Sequence, residues 1–133
     1  MAISSAVSAS LSGITAAERR LEVSANNIAN SRSTATIEDG QIINRPYQPS
    51  QVLQVSESPA GTRTFTSPID PATIPSFEPD SLAADENGIV QLPNVDLTQE
   101  AVNQISARIA FESSVSTLKR SEELYKTVID ILA

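Results

Sequence analysis

The chain has 133 residues, a net charge of −7, no cysteine and no histidine. This acidic balance argues against a surface for nucleic acid or for anionic lipid, because both require clustered Lys and Arg. The missing side chains exclude disulfides and thiolate metal sites, and they remove the commonest general base and the commonest metal ligand.

Proline divides the chain into three segments. All eight prolines lie between Pro46 and Pro93, and proline is disfavoured inside helices. We therefore expect a long helix within 1–30, a proline-rich middle segment with short β-strands over 31–93, and a second long helix within 94–133. The predicted fold is mainly α with a small irregular β insertion, and its terminal helices pair as a coiled coil.

The N-terminal segment has helical periodicity with a spacing of seven residues. Its larger apolar residues at this spacing are Val7, Ile14, Leu21 and Ile28, and the companion heptad positions hold Ser10, Ala17 and Ser24. The pattern predicts a helix over 3–30 whose small seam residues let a second helix approach closely. Such residues contribute little burial, so we expect this helix to need a partner.

The same end of the chain lacks the features of a cleaved secretory signal. Residues 1–15 are mildly apolar but carry no Lys or Arg, which a signal peptide needs before its apolar stretch. No apolar run in the chain reaches the ~18 residues of a membrane span. If the chain leaves the cytoplasm, we expect a route without a cleaved signal.

In the middle segment, strands are predicted at 51–55 and 63–66, joined by a turn that contains Pro59 and Gly61. The stretch 67–80 contains four prolines and is expected to be extended and irregular. A turn at 85–88 and a short strand at 89–92 then lead to Pro93.

The last helix is predicted over 97–131. Asp96, with Gln99 three residues later, has the spacing of an N-cap in a capping box. On a wheel of about 100° per residue the apolar residues form two stripes. One stripe contains Phe111, Val115, Leu118, Tyr125, Ile129 and Leu132, and the other contains Val102, Ile105, Ile109, Leu124 and Ile131. Two stripes predict neighbours on two sides, with the central helix of a bundle or a bend near Ala110 as alternatives.

Two short patterns resemble motifs of enzymes or metal sites. Ser116 and Lys119 have the S-x-x-K spacing of certain serine hydrolases, but the companion S-D-N and K-T-G motifs are missing, so a polar helix face is the favoured interpretation. Asp85 to Gly88 resembles part of a calcium loop, but Ala83 occupies a position that requires an acid. We therefore interpret 85–88 as a solvated turn and expect no enzymatic activity.

Two strings of residues resemble a known family. Ser24 is followed by Ala25, Asn26, Asn27, Ile28, Ala29 and Asn30, and the last helix is preceded by Pro93, Asn94, Val95 and Asp96. Together with 77–92, they resemble the bacterial flagellar basal-body rod proteins, and within them the proximal-rod branch of the FlgC type. Residues 31–35 depart from the T-P-G-[YF] that often follows the asparagine string in the broader family.

The resemblance implies a structural subunit of the rod that crosses the periplasm and transmits motor torque. It implies export through the flagellar type III apparatus, and partners that are other rod proteins and copies of the same chain. No enzymatic activity, cofactor, nucleic acid, small-molecule substrate or membrane insertion is implied. The terminal helices would form the inner tube layer, with the middle segment outside it, so we expect the apolar residues named above to form helix-pairing and subunit interfaces.

Alternatives remain open at this point. Another flagellar axial component, such as a hook-like subunit, would share these features. A small secretion adaptor or chaperone would use the same helices to hold one client in solution without polymerising. For Asn26, Asn27 and Asn30, termination of the helix and a role in packing or export are both possible and mutually compatible.

Overall fold

The structure is a computed structural model that describes the backbone of residues 2–34, 36–38 and 41–132 and the side chains of 4–34 and 45–132. Two long helices, α1 (Ala2–Ala29) and α2 (Leu97–Leu132), enclose the β-strands in sequence. The strands are β1 (Thr36–Glu38), β2 (Gln41–Asn44), β3 (Ser50–Ser56), β4 (Thr62–Pro68), β5 (Thr73–Phe77) and β6 (Ile89–Pro93). The described chain is therefore mainly helical with a β insertion, as predicted.

The two helices pack against each other in antiparallel directions. Near one end, Asn27 of α1 bonds to Glu100 of α2, and fourteen residues away on each helix Gly13 lies against Ser114. A Cβ atom added to Gly13 would lie 2.7 Å from the Ser114 Oγ. The fully buried positions of this contact carry small or polar side chains, namely Ser10, Ala17 and Ser24 on α1 and Ala107 and Ser121 on α2. Small side chains thus allow the close approach that the heptad pattern predicted.

The β3–β4 hairpin lies along α1. Its two strands are antiparallel, with Ser50 opposite Pro68 and Ser56 opposite Thr62. The Thr62 amide donates to Ser12 Oγ at 3.1 Å, and Arg19 Nη2 donates to Thr66 Oγ1 at 3.1 Å. As a result α1 has neighbours from its own chain on two sides, α2 and the hairpin. Within the described chain, α2 packs against one helix or sheet element, α1.

The expectation of irregular chain over 67–80 is wrong for 67–68, which end β4, and for 73–77. Residues 73–77 form β5, which pairs antiparallel with β6, with Thr73 opposite Pro93 and Phe77 opposite Ile89. Pro75 is tolerated because a two-stranded ribbon leaves one edge of each strand without a hydrogen-bond partner. The β1–β2 pair was not predicted at all.

The remaining middle-segment predictions are confirmed. Strands β3, β4 and β6 include the predicted ranges, and the turn at 85–88 is closed by a bond from the Gly88 amide to the Asp85 carbonyl oxygen at 2.9 Å. Asp85 Oδ1 also accepts from the amides of Asn87 and Ile89 at 2.8 and 2.9 Å. Gly88 has a φ of 75°, a conformation in which glycine is strongly favoured.

The core of the described residues is small. Its buried hydrophobic side chains include Ala16, Ala17, Val23, Val90 and Ala107, of which only the two valines are larger than alanine. Most large apolar side chains of α2 lie at the surface instead, although no described helix is long and apolar enough to cross a membrane. The single chain therefore leaves much apolar surface uncovered.

Candidate functional site

The apolar residues of α2 separate into an inner and an outer face. Phe111, Val115 and Leu118 are half-buried on the side toward α1. Val102, Ile105 and Ile109, which we call the outer face, are 52%, 62% and 61% exposed. The predicted two-sided helix is thus covered on one side only by its own chain. On α1, the predicted residues Val7, Ile14, Leu21 and Ile28 are all half-buried.

The last two turns of α2 extend beyond α1. Because Gly13 faces Ser114 and Asn27 faces Glu100, the antiparallel register places Ala2 opposite about residue 125. Residues 126–132, which we call the overhang, continue for about 10 Å past the first described residue of α1. Exposed apolar residues of the overhang and its base are Tyr125, Val128, Ile129, Ile131 and Leu132. The structure therefore places Ile129 and Leu132 beyond the described part of α1 and Tyr125 at its edge, although all three share a wheel stripe with Leu118.

Asn27 is the centre of a buried hydrogen-bond cluster. Its side chain is 1% exposed and uses its full bonding capacity. The Nδ2 atom donates to the Ser50 carbonyl oxygen at 2.8 Å and to Glu100 Oε1 at 2.6 Å. The Oδ1 atom accepts from Tyr47 Oη at 3.0 Å and from the Ser50 amide at 3.1 Å. One side chain thus connects α1, the start of β3 and the first turn of α2.

Glu100 places a carboxylate in this cluster without a cationic partner among the described residues. It is 7% exposed, and it accepts from Asn27 and, at 3.3 Å, from Asn103 Nδ2. Its position in the first turn of α2 lets the helix dipole stabilise the negative charge. Ser24 Oγ donates to the Glu100 carbonyl oxygen at 3.1 Å, which joins the same two helix ends again.

Tyr47 is held in its protonated form by the same surroundings. Burial, and secondarily the negative charge of Glu100, raise the pKa of the Tyr47 phenol above its ordinary value of 10.0. A protonated phenol can donate, and it does so to Asn27 Oδ1. The electrostatics and the hydrogen-bond direction therefore agree.

The asparagines of the first string have different roles. Asn30 ends α1, because its Nδ2 and its amide both bond to the Asn26 carbonyl oxygen, at 2.9 and 3.1 Å. The Asn26 side chain is exposed, whereas Asn27 packs inside the fold. Asn30 thus terminates the helix, and Asn27 packs in the interior. The heptad spacing contained a signal for Asn27. It lies seven residues after Arg20 and fourteen after Gly13, next to the seam formed by Ser10, Ala17 and Ser24.

The second string shapes the entry to α2. The Asn94 amide donates to the Ala72 carbonyl oxygen at 2.9 Å, and its Nδ2 donates to that of Pro71 at 3.0 Å. Asp96 Oδ1 accepts from the amides of Thr98 and Gln99 at 2.8 and 3.1 Å, so Asp96 is the predicted N-cap. The reciprocal half of the capping box is not formed, because Gln99 Nε2 bonds to Asn103 instead.

The described residues contain no arrangement typical of catalysis. Ser116 and Lys119 are both exposed, and no hydrogen bond joins them in the part of the chain that is described. No group of carboxylates in the same residues is placed to hold a metal ion. An open groove of about 610 Å³ lies between α1, β3 and the start of α2, and its lining is mostly polar, including Arg20, Gln51, Gln54, Gln99 and Asn103.

Comparisons with known proteins identify relatives of this fold. Residues 86–131 match the family model for the flagellar basal body rod FlgEFG protein C-terminal region. The chain is 40% identical to the flagellar basal-body rod protein FlgC of Yersinia enterocolitica over 85% of each chain. It is 36% identical to FlgC of Salmonella typhimurium over 80% of this chain and 81% of the relative. It is 28% identical to FlgC of Borreliella burgdorferi over 99% of each.

Proposed function

Because this chain belongs to the FlgC family of flagellar basal-body rod proteins and is a structural subunit of that rod, we propose that its two helices assemble with neighbouring subunits into a tubular axial structure that transmits torque. The outer face and the overhang are the surfaces through which α2 makes these contacts. The half-buried apolar residues of α1 and the inner face of α2 form the pair within each subunit.

The observation that carries this proposal is the uncovered apolar surface of α2. Ten of its large apolar side chains are exposed, each by 45% or more. Covering what remains exposed of each side chain contributes about 1 kcal/mol or more. Apolar side chains exposed in such numbers on one helix, in a group around Ile105 and a group at the overhang, indicate protein interfaces. Neighbouring subunits supply the cover that the single chain lacks.

The position of the β3–β4 hairpin supports a layered arrangement. The hairpin covers α1 and leaves α2 free. In a tube built from these subunits, α2 faces the neighbouring helices of the inner layer, and the middle segment lies outside it. Torque then passes between subunits through packed helices, which are the stiffest elements of the chain.

The partners in this proposal are other rod proteins and copies of the same chain, located in the periplasmic rod of the basal body. The chain reaches that place through the flagellar export apparatus without cleavage of a signal. It acts without catalysis, cofactor, nucleic acid, small-molecule substrate or insertion into the membrane.

An image of the assembled rod with this chain traced in it tests the proposal directly. We expect the outer face and the overhang of α2 to be buried against helices of adjacent subunits. Light scattering at rising concentration, with and without other rod proteins, separates this function from that of a secretion adaptor. An adaptor would form a complex of fixed size with one client, and that result would contradict the proposal.

A further inference from the structure

The β3–β4 hairpin is bonded to α1 near each of its ends, and between them Arg19 bonds to Thr66. At its free end, the Thr62 amide bonds to Ser12 Oγ, and at its base both backbone groups of Ser50 bond to Asn27. From Ser12 to Asn27 α1 rises about 22 Å, and from Ser50 to Ser56 β3 spans about 20 Å. Helix and hairpin therefore match in length between these two attachments, so releasing Ser50 from Asn27 leaves the hairpin bonded to α1 through Ser12 and the exposed Arg19 side chain.

The base attachment also contacts the segment that follows the hairpin. Pro49, next to Ser50, accepts a bond from the Ile69 amide at 2.9 Å. Ile69 follows β4 and leads into β5. The other end of the β5–β6 hairpin is joined directly to α2 through 94–96, so Asn27 acts most directly on the β3–β4 hairpin.

We propose that Asn27 is a positioning residue that fixes the direction of the β3–β4 hairpin relative to the helix pair, through its simultaneous bonds to Ser50 and Glu100. Because the bond to Glu100 exists only when α1 and α2 are paired, the hairpin is held in place by helix pairing itself. The purpose of this positioning rests on the proposed function, because a rod subunit must keep the contacts of its helix pair and those of its middle segment at a fixed angle.

The chemistry of this position favours an amide side chain. Asn27 must accept from Ser50 and Tyr47 on one atom and donate to Ser50 and Glu100 on the other, which only an amide does. Aspartate has nearly the same size, but it offers no donor and places a second negative charge beside Glu100. Asn27→Asp therefore keeps the size of the side chain but removes both donated bonds, and Glu100→Gln in addition removes the charge repulsion and supplies a donor.

The test measures two distances by pulsed electron paramagnetic resonance, with spin labels on cysteines introduced at exposed sites of the cysteine-free chain. Labels at Glu18→Cys and Ser116→Cys report the helix pair, and labels at Gln51→Cys and Ser116→Cys report the base of the middle segment. Circular dichroism defines conditions in which both helices are formed. Asn26→Asp, at the exposed neighbouring position, is the matched control.

In Asn27→Asp we expect the width of the Gln51–Ser116 distribution at least to double while the Glu18–Ser116 distribution stays unchanged. Adding Glu100→Gln to Asn27→Asp should restore most of the original width, because the glutamine amide can donate to the new carboxylate. Asn26→Asp should match the unmodified chain. A narrow Gln51–Ser116 distribution in Asn27→Asp overturns the proposal, and so does a broad one that Glu100→Gln leaves unchanged.

These measurements use the isolated chain and do not depend on rod assembly. Swimming of cells that carry the same variants then connects the geometry to function: Asn27→Asp should impair swimming, and Glu100→Gln should restore it. Equal swimming of Asn27→Asp and unmodified cells contradicts the positioning role in the rod. A failure of the proposed function itself would instead appear as normal assembly after disruption of the outer face.

Discussion

Gly13 of α1 lies against Ser114 of α2 at a distance that leaves no room for a larger side chain, since an added Cβ would lie 2.7 Å from Ser114 Oγ and 3.6 Å from Ser114 Cβ. The serine hydroxyl can rotate away from a single methyl group, but it cannot clear a branched side chain. The spacing of the helix pair is therefore set at this contact.

We expect Gly13→Val to destabilise the helix pair by about 1–3 kcal/mol, as overpacking of a close contact does. Gly13→Ala should be close to neutral, because alanine gains up to about 1 kcal/mol of helix propensity. Thermal unfolding followed by circular dichroism measures both. Thr15→Val, at an exposed position of α1, is the control and should be close to neutral, because valine and threonine have similar helix propensities. An equal loss of stability there would show that the loss in Gly13→Val does not come from the contact with Ser114.

Replacing Ile105 by Asp should prevent rod assembly without unfolding the chain. Ile105 is on the outer face, and exposed substitutions usually change the free energy of unfolding by no more than about 0.5 kcal/mol. Swimming assays and electron microscopy of basal bodies measure assembly. Ser116→Asp introduces the same charge on the same side of α2 but beyond the outer face, and it should not impair assembly.

Leu118→Asp should instead destabilise the subunit itself. Leu118 is half-buried toward α1, so its replacement should lower the unfolding temperature of the isolated chain.

Normal swimming of Ile105→Asp cells would show that the outer face does not meet another subunit.

The overhang should exchange its amide hydrogens rapidly in the isolated subunit and slowly in the assembled rod. Residues 126–132 have no described helix beside them, so their backbone bonds open without breaking tertiary contacts. Hydrogen exchange read by mass spectrometry compares the two states. The segment 100–121 is the internal reference, since it packs against α1 in the single chain. Equally slow exchange of both segments in the monomer would contradict this prediction.

The Tyr47 phenol should titrate at higher pH in the folded chain than in the unfolded one, because burial and Glu100 raise its pKa. The resulting stabilisation is complete below the unfolded pKa of about 10 and is lost as pH rises through the higher folded pKa. Tyr125→Phe leaves Tyr47 as the single tyrosine, so phenolate absorbance reports it alone. The same titration in denaturant should shift to lower pH, and coincident curves would refute the effect.

The helices could be predicted from the sequence because their signals are local. The confinement of proline to 46–93 and the N-cap at Asp96 placed both helices within two residues of their observed ends. The small residues Ser10, Ala17 and Ser24 also predicted a close approach. The β5 strand was missed because prolines dominate the stretch around it, whereas its pairing with β6 is set by partners that begin twelve residues away, with Phe77 opposite Ile89.

The non-local features could not be derived in the same way. A helical wheel groups Tyr125, Ile129 and Leu132 with Leu118. It does not show how far α1 extends along α2, so it cannot separate the residues that α1 covers from those beyond it. The Asn27 cluster joins residues 20 to 73 positions apart in the chain, and no periodicity encodes such a meeting.

The overhang also gives the helix pair two unlike ends. At one end α1 and α2 finish almost level, and at the other α2 protrudes by two turns. A contact between a protruding end and a level end cannot be related by a two-fold axis, so it repeats in one sense only. A stack held by such contacts has a direction along its axis. Its first and last members therefore present different surfaces to the next subunit that is added.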